Sequence, residues 1–328
     1  MEQYGVSTVG ARAPIIPIGR IRQGTTGAPY TLVNGESKKY PFGTASLSYY
    51  TPFVYYNFET SASTYVTNVQ GTNNTYTGSL KSWVESSPTT PDLGWPIYSS
   101  EYTFRNSNYA MSWLNNNWGN GSVLPSDNAG YINFGTPTER PNWGTLFSGS
   151  WSISMWCRPA ALSSTSVNSP TLFSLINPDD GLESSFSIYL GANTGSSKAF
   201  GHFHDDISIP ARIQWWPLQT SGSWQPNQWN HFVFIISGSV TEPSNRKIKA
   251  VINNIDIGYQ SIAFSPTINQ NYIVTLGQRF NVQYIGGQLS ASYDEMSIWD
   301  FELNSDQVSK LYNGGSGAGA IDLLVSGS

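Results

Sequence analysis

The chain has 328 residues and a formal net charge of −5, with 11% charged and 14% aromatic residues. This length is ample for a hydrophobic core, and β-sandwiches reach about 200–250 residues as one domain. The single cysteine, Cys157, excludes an intramolecular disulfide, and we expect it to be a buried, unreactive thiol. No run of about 20 apolar residues is present, so the sequence predicts no membrane-spanning helix.

Residues 1–48 are interrupted by glycine and proline at short intervals, which predicts an extended N-terminal arm. Five basic and two acidic residues give this arm a charge of +3, which leaves −8 on the rest of the chain. The basic residues are Arg12, Arg20, Arg22, Lys38 and Lys39. We expect them to dock the arm on an acidic partner. Three net charges are too few for the basic stripe of a nucleic-acid-binding protein.

Residues 49–316 follow a different pattern, in which short β-branched and aromatic runs alternate with turn residues and predict strands. The predicted strands are Phe53–Phe58, Thr75–Leu80, Tyr131–Phe134, Ser150–Cys157, Thr171–Ile176, Ser185–Leu190, Ile207–Trp215, Trp229–Ile236, Lys247–Asn253, Tyr272–Leu276 and Leu289–Trp299. Apolar residues alternate in Trp151–Met155, so that residues 151, 153 and 155 fall on one face of a strand. They are continuous in Phe232–Ile236, which is typical of a strand buried on both faces. Residues 82–128 are an insert rich in tryptophan and asparagine.

One helix is predicted at Leu303–Tyr312. Asn304 is a suitable N-cap, Gln307 stands three residues later, and Gly314 can end the helix. Residues 317–328 form a C-terminal tail.

The order of these elements resembles the laminin-G-like, concanavalin A-like jelly-roll family. The likeness covers roughly residues 50–314 and rests on five ordered pieces, none of which is diagnostic by itself. They are Phe53–Glu59 with Tyr76–Leu80, Gly149–Pro159, Trp229–Phe234, Gly287–Trp299 and Leu303–Tyr312. One departure is Asn254-Ile255, where the family usually has a turn glycine. The resemblance implies an all-β, two-sheet antiparallel jelly-roll sandwich with one short C-terminal helix.

Tryptophan supplies the candidate ligand-binding residues, because an exposed indole offers a flat apolar face and one hydrogen-bond donor to a sugar or a protein. The candidates are Trp215, Trp216, Trp95, Trp113, Trp118 and Trp143. Core packing is the competing interpretation for each of them. The resemblance also makes Asp294 a candidate Ca²⁺ ligand, with Asp179 and Asp180 as possible oxygen partners. A purely structural carboxylate is the alternative for Asp294.

Three histidines leave little room for a transition-metal site, which needs three or four ligands. His202 and His204 fall on one face of a strand, and we expect a structural or surface pair. His231 is expected to be packed and hydrogen-bonded.

The expected function is non-enzymatic. Hydrolases of this fold carry paired carboxylates as Glu-x-Asp-x-x-Glu on one strand, and no such run occurs. The first 20 residues lack an apolar segment of seven or more, so we expect no signal peptide. With Met1 present, the sequence favours a virion structural protein of a bacteriophage, assembled in the host cytoplasm. The arm would anchor it to capsid or tail proteins as a homo-oligomeric decoration or short fibre. The alternative is a glycan-binding module of a cell-surface or exported protein.

Overall fold

The computed structural model describes part of the chain. The described residues are 52–59, 65–66, 78–82, 97–100, 104, 110–113, 130–134, 143–160, 171–176, 186–191, 199–206, 209–215, 224–239, 241, 245–262, 272–277, 289 and 291–317. The predicted arm, residues 1–48, and most of the tail lie outside them. The helices in this part of the chain are too short to cross a lipid bilayer.

Sixteen strands and two α-helices are present among the described residues. The strands are β1 Val54–Tyr56, β2 Tyr65–Val66, β3 Gly78–Ser82, β4 Ile97–Ser99, β5 Ala110–Trp113, β6 Gly130–Phe134, β7 Trp151–Pro159, β8 Thr171–Ile176, β9 Phe186–Gly191, β10 Ala199–Asp206, β11 Ile209–Trp215, β12 Asn230–Ser237, β13 Lys247–Ile252, β14 Ile255–Ser261, β15 Ile273–Leu276 and β16 Ala291–Trp299. The helices are α1 Trp143–Ser148 and α2 Ser305–Tyr312. Four of the strands and α1 are additions to the sequence-based prediction, namely β2, β4, β5 and β14, and β10 was expected only through the strand position of His202 and His204.

The strands form two eight-stranded antiparallel sheets, which confirms the predicted all-β sandwich. Sheet A has the order β14-β13-β12-β7-β16-β5-β4, with β1 also pairing with β16. Sheet B has the order β11-β10-β9-β8-β15-β6-β3-β2. The insert at residues 82–128 therefore contributes β4 and β5 to sheet A.

The main core lies between the inner faces of the two sheets. On β7, the predicted alternation is confirmed, because Trp151, Ile153 and Met155 are all buried in this core. Burying a large apolar side chain contributes about 1.5–3 kcal/mol, so the packing between the two sheets stabilises the sandwich. Cys157 belongs to the same core, which confirms the expected burial, and this burial raises the pKa of its thiol.

A second, smaller core covers part of the outer face of sheet A, the face turned away from sheet B. Apolar side chains of β12, β13 and β16 meet those of α2 and its N-terminal approach here. The cluster contains Tyr55, Val233, Ile235, Val251, Trp299, Leu303, Val308 and Leu311. Strand β12 is therefore buried on both faces, as its continuous apolar run predicts.

Helix α2 begins with the predicted cap. The Asn304 side chain accepts a hydrogen bond from the Gln307 backbone N–H at 2.9 Å, and the Gln307 side chain accepts one from the Asn304 N–H at 2.8 Å. This reciprocal pair satisfies two backbone donors that a helix N-terminus otherwise leaves exposed. The helix ends at Asn313, whose φ of 46° lies in the left-handed region.

Helix α1 connects β6 of sheet B to β7 of sheet A. The Trp143 indole N–H donates to the Phe134 carbonyl at 3.0 Å and fixes the start of the helix. At the other end, the buried Arg246 guanidinium donates to the carbonyls of Phe147 and Gly149 at 3.0 and 3.1 Å. A cation is stabilised at a helix C-terminus, although burial lowers the pKa of Arg246 to about 10.

The β13–β14 hairpin explains the departure from the family pattern. Asn253 and Asn254 have φ values of 50° and 64°, and asparagine tolerates this left-handed region better than most residues. The Asn253 side chain also accepts a hydrogen bond from the His231 N–H at 2.9 Å and donates to Asn230 at 3.2 Å. The turn therefore needs no glycine, and Asn253 joins it to β12.

We expect Asn253→Ala to lower the free energy of unfolding by about 2–3 kcal/mol. Alanine in the left-handed region costs about 1–2 kcal/mol, and the N–H of His231 loses its acceptor. Chemical denaturation measures this. Asn254→Gly is the matched control, because Asn254 is exposed and glycine accepts its φ. Equal losses for the two variants would contradict the joining role of Asn253.

Candidate ligand-binding surfaces

The six candidate tryptophans do not form one site. Trp143 is 1% exposed, lies in the main core and stacks on Phe147 with ring centroids 5.7 Å apart. The prediction of Trp143 as a ligand-binding residue is therefore corrected, because no ligand reaches its indole. Trp95, Trp118 and Trp216 lie outside the described residues.

Trp113 and Trp215 lie in different sheets. Trp113 ends β5 of sheet A, in register with Ala291 of β16. Trp215 ends β11, the last strand of sheet B, in register with Gly201 of β10. Gly201 is in turn in register with Tyr189 of β9. Tyr189, Gly201 and Trp215 thus follow one another across β9, β10 and β11, and the glycine between the two aromatic residues has no side chain.

The outer face of sheet B, which points away from sheet A, carries short hydroxyl side chains. Thr275, Ser174 and Ser187 are in register on β15, β8 and β9. The two serine hydroxyls are 2.7 Å apart and hydrogen-bonded. All three residues are at most 1% exposed, so this central strip is closed. Residue 215 is the last position of β11, and β11 lies two strands from Ser187 at one end of the strand order of sheet B.

Asp294 lies on the outer face of sheet A, on the central strand β16. It is 0% exposed, and its Oδ1 accepts a hydrogen bond from the Glu295 N–H at 2.8 Å. A bulge follows, because the register with β7 shifts between Asp294 and Ser297 and Glu295 has a φ of 50°. The Tyr55 hydroxyl donates to the Glu295 carboxylate. The two neighbouring acids are thus each engaged within the protein.

Calcium binding at Asp294 stays a prediction. Within the described ranges, no three His, Cys, Asp or Glu residues lie close enough together to hold a metal ion. The predicted partners Asp179 and Asp180 lie outside these ranges, as do the arm residues Arg12, Arg20, Arg22, Lys38 and Lys39. His202 and His204 occupy alternate positions of β10, in register with Gln214 and Arg212 of β11.

His231 is packed and hydrogen-bonded, as predicted. Its Nε2 is 2.8 Å from the Ser154 hydroxyl, and its ring stacks on Trp156 with centroids 4.9 Å apart. Tyr312, at the end of α2, lies 6.1 Å from the same imidazole. Burial lowers the pKa of His231 to about 3. The outer face of sheet A is therefore closed by aromatic packing at this end.

The C-terminal segment closes the same cluster. The Asn313 side-chain amide donates to the Gly317 carbonyl at 3.1 Å, and the Gly317 N–H donates to the Tyr312 carbonyl at 3.0 Å. Gly317 has a φ of 70° and lies against the rings of Phe104 and Trp156, where a Cβ would overlap Phe104. This position therefore requires glycine for both its backbone angle and its contact.

One exposed aromatic residue is missing from the tryptophan-based prediction. Tyr259 on β14 has 55% exposure and lies beside Lys249 and Asp256. The sequence does contain a pattern that indicates strand β14. Residues Ile255–Ser261 follow a two-residue Asn-Asn turn and alternate in polarity over part of their length. Without the hairpin, the strand is not recognised in the sequence.

These features define a lectin-like sandwich, and the family comparison agrees. The chain belongs to the concanavalin A-like lectin/glucanases superfamily, because the laminin-G-type family model of that description matches residues 126–309. No curated protein sequence matches the chain at a significant level.

Several solved structures are similar in fold. Domain 4 of an extracellular arabinanase from Geobacillus stearothermophilus, solved with arabinotriose, is 16% identical, with a TM-score of 0.49 over 82% of this chain and 98% of that domain. A botulinum neurotoxin C/D mosaic receptor-binding domain is 12% identical, with a TM-score of 0.48 over 80% of this chain. The chain covers 51% of that domain, about half its length. A heptameric pentraxin from Limulus polyphemus is 16% identical, with a TM-score of 0.38 over 52% of this chain and 73% of the pentraxin.

We expect the protein to lose stability as the pH falls from about 6.5 to about 3. The unfolded His231 binds a proton below pH 6.5, whereas the folded imidazole stays neutral until its pKa of about 3. The free energy of unfolding therefore decreases by about 1.4 kcal/mol per pH unit in this window. Urea denaturation at several pH values, with His231→Gln as the reference, isolates this contribution. A wild-type-minus-variant difference that does not change with pH would contradict the buried neutral imidazole.

Proposed function

We propose that this chain is a non-catalytic carbohydrate-binding protein in which the end of β11 at Trp215 contacts the sugar. The observation that carries the proposal is the location of Trp215 on the edge strand of sheet B, in register with Gly201. Glycine contributes no side chain at the position paired with residue 215, which suits a sugar ring stacked against an indole. Membership of a superfamily that includes lectins supports the same function.

The described acidic residues favour binding over hydrolysis. Glycoside hydrolysis needs two carboxyl groups about 5–10 Å apart that both reach the substrate. On β16, Asp294 is fully buried, and the Glu295 carboxylate accepts a hydrogen bond from the Tyr55 hydroxyl. Neither group is arranged as a free acid or nucleophile. Within the described chain, this supports a protein that retains its sugar without cleaving it.

We expect Trp215→Ala to weaken glycan binding at least tenfold, or about 1.4 kcal/mol, because the stacking surface is removed. A glycan array with the full chain identifies the sugar, and isothermal titration gives the affinity. Trp113→Ala tests the other described candidate, because Trp113 ends a strand of sheet A and the proposal expects its loss to leave binding unchanged. Equal binding by wild type and Trp215→Ala would exclude this site. Release of shortened sugars during incubation would contradict the non-catalytic assignment.

A second, finer proposal concerns the setting of this binding unit. We propose that it is a surface component of a bacteriophage particle, attached through residues 1–48 to an acidic capsid or tail partner. The supporting observation is the charge division, with +3 on the arm and −8 on the remaining chain. Opposite charges on two surfaces favour encounter and fix orientation. The sandwich would then present its sugar-binding surface to the host.

We expect tagged full-length protein to co-sediment with phage particles and to lose severalfold of that signal in the Arg20→Gln, Arg22→Gln variant. The matched control removes two positive charges from the sandwich by Lys247→Gln and Lys310→Gln, both at exposed positions. Sedimentation followed by quantitative immunoblotting measures the bound fraction. Equal losses for both double variants would exclude a specific role of the arm.

A further inference from the structure

The outermost strand of sheet A carries the exposed apolar surface of the described sandwich. Among residues whose side chains the structure describes, Ile255 and Tyr259 are the exposed large hydrophobics, at 40% and 55%. Both belong to β14, which ends the order of sheet A. An exposed apolar residue on an edge strand promotes unwanted strand pairing unless charges or a bulge protect the edge. A bulge and the Lys249–Asp256 ion pair protect β14 from such pairing, so the exposed Tyr259 ring is available for another role.

A bulge sets the spacing of the side chains on the outer face of β14. Asp256 is in register with Val251, and Tyr259 with Lys249, so the pairing on β13 advances by two residues while β14 advances by three. Ile257, within this bulge, packs into the main core. Asp256 and Tyr259 consequently occupy successive positions on one face, about 7 Å apart along the strand. A single sugar ring spans this distance.

Lys249 contacts both exposed groups, the carboxylate of Asp256 and the ring of Tyr259. Its Nζ lies 2.5 Å from Asp256 Oδ2 and 5.3 Å from the centroid of the Tyr259 ring. The Lys249 side chain is 17% exposed and that of Asp256 is 56% exposed. The cation lies over the Tyr259 ring, and 55% of the tyrosine remains exposed to solvent. The ring and the carboxylate are therefore held in place before any ligand arrives.

The chemistry of this group fits a neutral, hydroxylated ligand. An anion would meet the outward-facing Asp256, and a cation would compete with Lys249 for the same carboxylate. Asp256 Oδ1 accepts the Gly258 N–H at 2.8 Å, and Oδ2 pairs with Lys249. A carboxylate accepts about four hydrogen bonds, so about two positions remain for hydroxyl donors. An aromatic ring beside free carboxylate lone pairs is suited to a sugar.

We propose that Tyr259, Asp256 and Lys249 form a second carbohydrate-binding site, on the edge of sheet A. Tyr259 stacks on a neutral sugar ring, Asp256 accepts hydrogen bonds from its hydroxyl groups, and Lys249 positions both. This site lies on a different sheet from Trp215 and does not depend on it. With both sites, one chain binds two sugar units and links two glycans.

The test is isothermal titration of the full chain with cellobiose, lactose, maltose and mannobiose in turn. Tyr259→Ala is expected to weaken the second site at least tenfold, whereas Tyr259→Phe keeps the ring and retains binding. Asp256→Asn is expected to weaken it severalfold. Ile255→Ala is the matched control, an exposed apolar residue of the same strand, and is expected to leave binding unchanged.

The number of sugar molecules bound per chain distinguishes the Tyr259 site from the Trp215 site. Two sugars bound by wild type and one by Tyr259→Ala support the proposal. Loss of all binding in Trp215→Ala alone overturns the Tyr259 site, and loss of all binding in Tyr259→Ala alone overturns the Trp215 site. Unchanged binding in Tyr259→Ala, or equal losses in Tyr259→Ala and Ile255→Ala, also overturns the proposal. So does a Tyr259-dependent dimer in light scattering, which would assign the edge to strand pairing.

Discussion

The burial of sheet A on both of its faces is the constraint on which the rest of the fold depends. Its inner face packs on sheet B, as expected in a sandwich. Its outer face carries the apolar side chains of Val233, Ile235 and Trp299. Exposing them to water would remove the free energy that their burial contributes to folding. Helix α2 covers this part, and the segment ending at Gly317 covers Trp156 and His231. Sheet A therefore needs helix α2 to keep these apolar side chains away from water.

This constraint also separates closed surfaces from open ones. The imidazole of His231 and the carboxylate of Asp294 are both buried, and rings of Trp156 and Tyr312 lie beside His231. The central strip of sheet B is closed as well, at Ser174, Ser187 and Thr275. Among the side chains that the structure describes, the exposed large hydrophobic residues, Ile255 and Tyr259, lie on β14, which ends the strand order of sheet A.

The sequence predicts the elements whose pattern is local. Strand β7 alternates, β12 is continuously apolar, and α2 has its cap pair at Asn304 and Gln307, so each is specified within about ten residues. The bulge at Glu295 also leaves a local trace. Apolar residues stand at odd positions up to Tyr293 and at even positions from Met296, which shifts the phase of the alternation.

Other features depend on tertiary context. Strands β4 and β5 have only three and four residues, too few for a periodic signal. Helix α1 has six residues, and its position follows from contacts of Trp143 and Arg246 with distant carbonyls. Whether a tryptophan is buried is decided by what packs on it, so the burial of Trp143 could not be predicted from the sequence. The location of Tyr259 required the Asn253–Asn254 turn to be recognised first.

The tight seat of Gly317 against Phe104 and Trp156 has a consequence for protein engineering. The backbone at this position is already in contact with both rings, so even a single added methyl group displaces the segment that seals the His231 end of sheet A. Fusion partners, affinity tags and surface-immobilisation linkers joined at or before residue 317 would disrupt the packing of Gly317 on Phe104 and Trp156. Attached further along the chain, they leave the seat intact.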